Sequence, residues 1–348
     1  MIKNRSLFDN KCVAVTGCCG TVGSELMMQL VSFHNPKSII GIDNNESILF
    51  LQSLQYKKQT KVQLKLSDIR HLDGLIECLR GVNILFHAAA FKHVALCEQS
   101  PREAVQTNII GVQNLINAAT VNKVGKVIFT SSDKAVNPTN VMGATKLMGE
   151  RLFVAANAAI ETTDFCATRF GNVIGSRGSV VQIFYDQIKR GGPLTLTSPD
   201  MTRFIMTITQ SADLVLNSAD ICDGGEVIIN KMPVVNIQDL AIAMIELLAP
   251  KWGYKPGDID IDIIGVKPGE KEYEELLSSE EVRRSREYDD YFVILPTFEY
   301  GYRGEKHKDK SKAASQIYTS HIEPKMSIEE IKDFFIANNL LEELFPPQ

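Results

Sequence analysis

Long apolar runs are missing from this 348-residue chain: none approaches roughly 18 residues, and no N-terminal stretch joins basic residues to a long apolar core. The expectation is a protein with no membrane embedding, working in the cytoplasm. Excess positive charge is missing as well. Thirty-seven Lys+Arg stand against 42 Asp+Glu, for a formal net charge of -5 and a pI near 5.8. A phosphate backbone is normally met by a strongly basic face, so nucleic acid is not an expected partner. Regularly paired cysteine is the third absence. Cys12, Cys18, Cys19, Cys78, Cys97, Cys166 and Cys222 form an odd, scattered set in apolar stretches, unlike a secreted disulfide framework. Adjacent Cys18 and Cys19 lack the two-residue spacer of common redox or metal pairs. The set reads as unbridged cysteine in a reducing compartment. No pairing among the six histidines suggests a ligand set, so no metal is expected.

What is present suits a sizeable core: 44% of residues are hydrophobic and 23% charged. The length fits one body with two lobes. Short β-branched runs at Cys12–Thr16, Ser38–Ile42, Val62–Leu66, Ile84–His87, Lys126–Thr130 and Phe165–Phe170 alternate with helical patterns, which predicts βαβ units and a parallel sheet. Beyond Arg169 the rhythm loosens around turns at Gly191-Gly192-Pro193, Gly224-Gly225 and Lys267-Pro268-Gly269. Helical spacing returns over Ile237–Leu248 and Ser327–Leu341, the latter opened by a Ser327/Glu330 capping box. The polar stretch from Tyr300 to Lys312 reads as a mobile surface loop, and no internal repeat is visible.

Directly after the first strand come Gly17, Gly20, Thr21, Val22 and Gly23, and a helix pattern follows. Three glycines at this spacing close the turn, admit a pyrophosphate to the backbone and let helix and strand pack closely. Asp43 ends the second strand about 20 residues on, where a carboxylate accepts from ribose hydroxyls and repels a 2′-phosphate. With Asn44 and Asn45 next, and no arginine, NAD is the expected cofactor. Asp68 and Ile69 follow the third strand, Asp68 as a partner for the adenine amino group. Ala88, Ala89 and Ala90 close the fourth strand and leave room for the cofactor.

The glycine triplet, Ala88-Ala89-Ala90, Asn108, Thr130-Ser131-Ser132-Asp133-Lys134 and Lys146 together resemble the extended short-chain dehydrogenase/reductase family. Within it the likeness is to CapD-like UDP-N-acetylglucosamine 4,6-dehydratases, through Ala89-Ala90-Phe91-Lys92-His93-Val94, Arg169-Phe170-Gly171-Asn172-Val173, Thr202-Arg203-Phe204-Ile205-Met206 and Lys267-Pro268-Gly269-Glu270-Lys271. It covers roughly Leu7 to Leu277. The likeness implies a doubly wound Rossmann α/β sheet, with an NAD-binding domain over 1–170 and a mainly substrate-binding lobe over 171–348, some of whose segments return to the first domain. Many relatives carry N-terminal membrane helices, and this chain is similar to their catalytic part alone.

One position departs from the wider family. Its Tyr-x-x-x-Lys reads here as Met142-Gly143-Ala144-Thr145-Lys146, and a thioether carries no proton. The dehydratase subgroup shows the same replacement and keeps the Asp-Lys pair. The resemblance therefore implies oxidation at sugar carbon 4, loss of water across carbons 5 and 6, and hydride return to carbon 6, feeding precursors of pseudaminic-, legionaminic- or bacillosamine-type sugars. Asp133 is assigned as buried general acid and Lys134 as base, desolvated near Lys146, with Ser132 and Met142 beside them. Lys146 binds the nicotinamide ribose, and Asn108 belongs to the cofactor site. Lys92, His93, Asn172, Arg177, Ser179, Val180, Arg203, Lys267 and Glu270 are assigned to a UDP- or GDP-linked N-acetyl sugar, with Arg203, Arg177 and Lys267 on the diphosphate. A 4-epimerase is the alternative enzyme, and a non-catalytic NAD-sensing protein the alternative outside catalysis. Family habit implies a homodimer or higher oligomer, formed through 108–119 and 144–159.

Overall fold

The computed structural model describes residues 5–297, 302, 304, 307 and 312–344, so most of the charge-dense 300–312 stretch lies outside the described residues. The chain divides into two compact units, one comprising Met1–Arg169, Thr209–Lys231 and Ser278–Ile317, the other Phe170–Ile208, Met232–Leu277 and Tyr318–Gln348.

The first unit is built on a ten-stranded sheet. Its parallel part contains β1 (Cys12–Thr16), β2 (Ser38–Asp43), β3 (Val62–Leu66), β4 (Ile84–His87), β5 (Lys126–Thr130) and β6 (Asp164–Arg169). They lie in the order β3-β2-β1-β4-β5-β6, and Val227–Asn230 extends the sheet in parallel beside β6. Antiparallel Tyr291–Ile294, Ser285–Glu287 and Lys312–Ala313 complete that edge. The order reverses between β1 and β4, which opens a crevice at their carboxyl ends. Central strands covered on both faces need continuous apolar sequence, and Val13, Ala14, Val15, Leu85, Phe86, Val127 and Ile128 are all buried.

Helix Val141–Ala159 is held on this sheet by an aromatic row, Phe129–Phe153–Phe165, with centroids 5.1 and 5.4 Å apart. A π turn, Gln106–Ile110, precedes helix Gly111–Val121, so the expected continuous helix over 108–119 starts with a wider turn.

In the second unit Thr202–Met206 pairs with Asn172–Val173 and Val234–Asn236. Helices Val180–Lys189, Ile237–Leu248 and Ile328–Ala337 share an apolar core that includes Phe184, Leu240, Met244, Ile331 and Phe335. The Ser327/Glu330 capping box is present, but the helical stretch it opens is broken in two. Asn339 adopts left-handed backbone (φ 53°), which ends the first helix at Ala337 before a second runs over Leu340–Leu344.

The reading of seven unbridged cysteines needs correction. Cys166 on β6 and Cys222, just past helix Ile208–Ile221, form a buried disulfide. Fifty-six residues separate them, and the pairing of the following strand, Val227–Asn230, with β6 sets them side by side. Among the described residues no helix is long and apolar enough to cross a membrane.

Candidate active site

The glycine turn at the end of β1 packs directly on the end of β4. Gly17 has φ +70°, and a Cβ there would fall 2.6 Å from the Ala89 backbone nitrogen; one on Gly23 would fall 2.0 Å from the Gly17 carbonyl oxygen. Strand, turn and helix therefore meet at distances only glycine permits. The helix begins at Thr21, earlier than the pattern after Gly23 suggested.

Asp43 is bonded to this turn. Its Oδ2 accepts from the Cys19 backbone N–H and its Oδ1 from that of Asn45, both at 2.9 Å. Each carboxylate oxygen keeps a second lone-pair direction for a ribose hydroxyl. Asn44 donates to Asp68 Oδ2 at 3.0 Å. Asp68 also receives the Arg70 guanidinium at 2.7 Å, and that bond holds its carboxyl well below the usual range. An adenine amino group at Asp68 would thus share a carboxylate already paired. Ile69 is buried against Gly111.

Asn108, expected in the cofactor site, has a local task that the structure shows directly. Its side chain accepts from the Phe91 backbone N–H (2.9 Å) and donates to the Phe91 carbonyl (3.0 Å) and to Thr145 Oγ1 (3.0 Å). From the π turn it ties the loop carrying Lys92 and His93, both exposed, to the helix carrying Lys146. Burial, then neighbouring Lys92, pulls the His93 pKa down.

Past β5 the chain turns sharply through Asp133–Ala135. Asp133 is fully buried. Its Oδ1 accepts from Ser132 Oγ (2.7 Å), the Lys134 N–H (2.8 Å) and Lys134 Nζ (3.1 Å). Its Oδ2 has no hydrogen-bond partner among the described residues, nor does buried Ser131 Oγ. A buried carboxylate oxygen without a partner is costly and marks this turn as built for a ligand or a proton. Helix Val141–Ala159 reaches the turn at Gly143, where a Cβ would fall 2.2 Å from the Lys134 carbonyl oxygen. A glycine inside a helical pattern was the available sequence signal for this contact, and it went unread.

Lys146 lies within the same unit, buried, with Nζ donating to the Thr130 carbonyl (2.8 Å) and sitting 4.8 Å from the Phe129 ring centroid. Burial lowers its pKa from 10.5 to about 8, against the pull of Glu150 one turn along. Met142, at the tyrosine position, packs with Cys97 and Ala104 and offers no proton. The unit thus places Gly17, Asp43, Ala88–Ala90, Ser132, Asp133 and Lys134 at or just past the carboxyl ends of β1, β2, β4 and β5, with Asn108 and Lys146 on helical segments of the same unit.

The remaining candidates belong to the second unit. Asn172 is half-buried on its short strand, and Arg177 is exposed. Ser179 precedes helix Val180–Lys189, and its Oγ is buried with no hydrogen-bond partner among the described residues. Lys267 and Glu270 form a turn, joined by a Glu270 N–H bond to the Lys267 carbonyl at 3.1 Å. Arg203, assigned to the diphosphate, already has partners within the unit. Its guanidinium is buried and donates to the carbonyls of Thr202 (2.8 Å), Glu272 (3.2 Å) and Lys271 (2.7 Å), with Glu274 at 3.8 Å. These bonds anchor the segment after Lys267. Arg203→Ala is therefore expected to cost about 3 kcal/mol of stability by removing a buried charged donor from three backbone carbonyls. Calorimetric unfolding checks it; an unchanged Tm with a raised KM would return Arg203 to direct diphosphate contact.

A family model described as polysaccharide biosynthesis protein matches residues 13–296, and the chain belongs to this family. An uncharacterized membrane protein of Methanocaldococcus jannaschii is 49% identical over 86% of this chain and 90% of its own. A UDP-glucose 4-epimerase of Rickettsia rickettsii is 36% identical over 97% of this chain and 98% of its own. The solved structure of Pen from Bacillus thuringiensis, 38% identical, superposes with a TM-score of 0.87 over 95% of this chain and 98% of that one. The resemblance to CapD-like extended short-chain dehydrogenase/reductases is borne out.

Proposed function

We propose that this protein is an NAD-dependent nucleotide-sugar 4,6-dehydratase acting on UDP-N-acetylglucosamine or its GDP-linked counterpart. The observation that carries the reading is the Asp133–Lys134 pair at the end of β5, its aspartate buried and its lysine partly so, packed under the helix that carries Lys146, with an inert methionine where an epimerase has its tyrosine. The Gly17–Gly23 cradle and the Asp43 carboxylate fit a dinucleotide with free ribose hydroxyls. When bound, NAD accepts hydride from sugar carbon 4 and later returns it to carbon 6.

The chain's own residues handle protons. Once carbon 4 is a ketone, the carbon 5 proton is acidic enough for Lys134 to remove. Asp133, through Oδ2, protonates the hydroxyl leaving carbon 6. Lys146 holds positive charge near the carbon 4 oxygen and favours loss of its proton. Arg177, Lys267 and the amides opening helix Val180–Lys189 supply donors for the diphosphate. Exposed Val105, Ile110 and Met148 lie on or beside the helices expected to bury a homodimer face.

Incubation with UDP-N-acetylglucosamine and NMR of the product tests this reading: a 4-keto-6-deoxy sugar with its carbon 6 methyl doublet is expected. A carbon 4 epimer instead would establish epimerisation, the reading favoured by the Rickettsia relative's name. No turnover of either nucleotide-linked sugar would leave an NAD-sensing protein.

A further inference from the structure

Arg169 closes β6 with its side chain buried between two carboxylates. Nε and Nη2 donate to Glu150 at 2.8 and 2.6 Å, and Nη1 and Nη2 donate to Glu281 at 2.9 and 2.7 Å. Glu150 lies one turn beyond Lys146 on helix Val141–Ala159. Glu281 comes from far along the sequence, on the short helix Ser279–Val282, where the chain re-enters the first unit. Its Oε2 is held by the Ser278 N–H (3.1 Å) and Oγ (2.9 Å).

We propose that Glu281 is a positioning residue for Lys146: through Arg169 and Glu150 it completes a buried row of alternating charge that sets how readily Lys146 gives up its proton. The inference rests on the dehydratase reading for its purpose, but not for its electrostatics. Lys146, Glu150, Arg169 and Glu281 carry two charges of each sign, so the buried row is neutral; Arg284, 3.8 Å from Glu281 at its outer end, is itself offset by Glu280 at 3.4 Å. An unbalanced buried charge is expensive. Without Glu281 the row carries one excess positive charge. Arginine cannot lose a proton, whereas Lys146 can. The other groups facing Lys146 do not replace the missing charge. His87 on β4 is neutral, its pKa taken to about 3 by burial and by Lys146 itself, and burial keeps the Cys97 thiol protonated. The Thr130 carbonyl and Phe129 ring are uncharged, and the Asp133–Lys134 pair in the turn beneath the helix cancels internally.

The test titrates Lys146 by NMR in protein carrying 13C-labelled lysine, its signal assigned by its loss in Lys146→Arg. Wild-type Lys146 is expected to titrate near 8. Glu281→Gln should make proton loss about tenfold easier, one pH unit lower. Glu281→Asp, which keeps the charge but draws it back by one methylene, should give a smaller step in the same direction. If Glu281→Gln does not fold by near-ultraviolet circular dichroism, the Asp step decides. A folded variant with Lys146 unmoved overturns the proposal, as does a wild-type value at the ordinary 10.5. A moved Lys146 in a protein that turns over no nucleotide sugar would keep this inference and remove the dehydratase reading.

Discussion

Asp133→Asn should stop the reaction halfway. The amide keeps the size of the side chain and most of its hydrogen bonds to Ser132 and Lys134, but removes the acid proposed to protonate the leaving hydroxyl. On the proposed reaction carbon 4 should still be oxidised, so enzyme-bound NADH is expected to accumulate while the 6-deoxy product falls by about 10²–10⁴-fold, the usual range for a positioned acid or base. Lys134→Met is expected to behave alike, with solvent deuterium no longer entering carbon 5. The measurements are absorbance of the reduced cofactor after mixing and NMR of the sugar. No NADH signal in either variant would place the pair in the first proton transfer, the step vacated by Met142, and would end the division of labour argued above.

Gly143→Ala should be nearly as damaging, although Ala is the better helix former. The new methyl would fall 2.2 Å from the Lys134 carbonyl oxygen, which belongs to the backbone of the Asp133–Ala135 turn and has no flexible end to swing aside. Either helix Val141–Ala159 lifts from the turn or the turn shifts, at a cost of about 3 kcal/mol. Both movements separate Lys146 from Asp133 and Lys134. Expected outcomes are a Tm lowered by several degrees and a large fall in kcat. A variant with wild-type Tm and kcat would show that the close approach has no bearing on the site.

The dinucleotide turn and the parallel sheet were legible because their signals are local. Gly17, Gly20 and Gly23 are contiguous with the strand and helix they join, and Asp43 ends the next strand, so the spacing that makes the motif also makes the structure. Asp133, Lys134 and Lys146 were singled out by a motif and a family likeness, and the structure places them in one unit. The same likeness placed Arg203 on a diphosphate and gave no sign that its guanidinium also holds the carbonyls of Thr202, Lys271 and Glu272. The break at Asn339 was missed because apolar periodicity continues across it even though the backbone there is left-handed.

By itself the sequence determined the order of βαβ units, the nucleotide turn, the loss of the tyrosine at Met142 and the charge types at the site, since each depends on neighbours along the chain. Tertiary structure alone decided the Cys166–Cys222 bridge, the hold of Asn108 on Phe91 and Thr145, the Gly143 contact and the union of Arg169 with Glu281 across 112 residues. Each of these joins segments whose separation carries no periodic signal. They form only when burial in a common core makes an unpaired charge, an unfilled amide or an extra methyl group more costly than the ordering that avoids it.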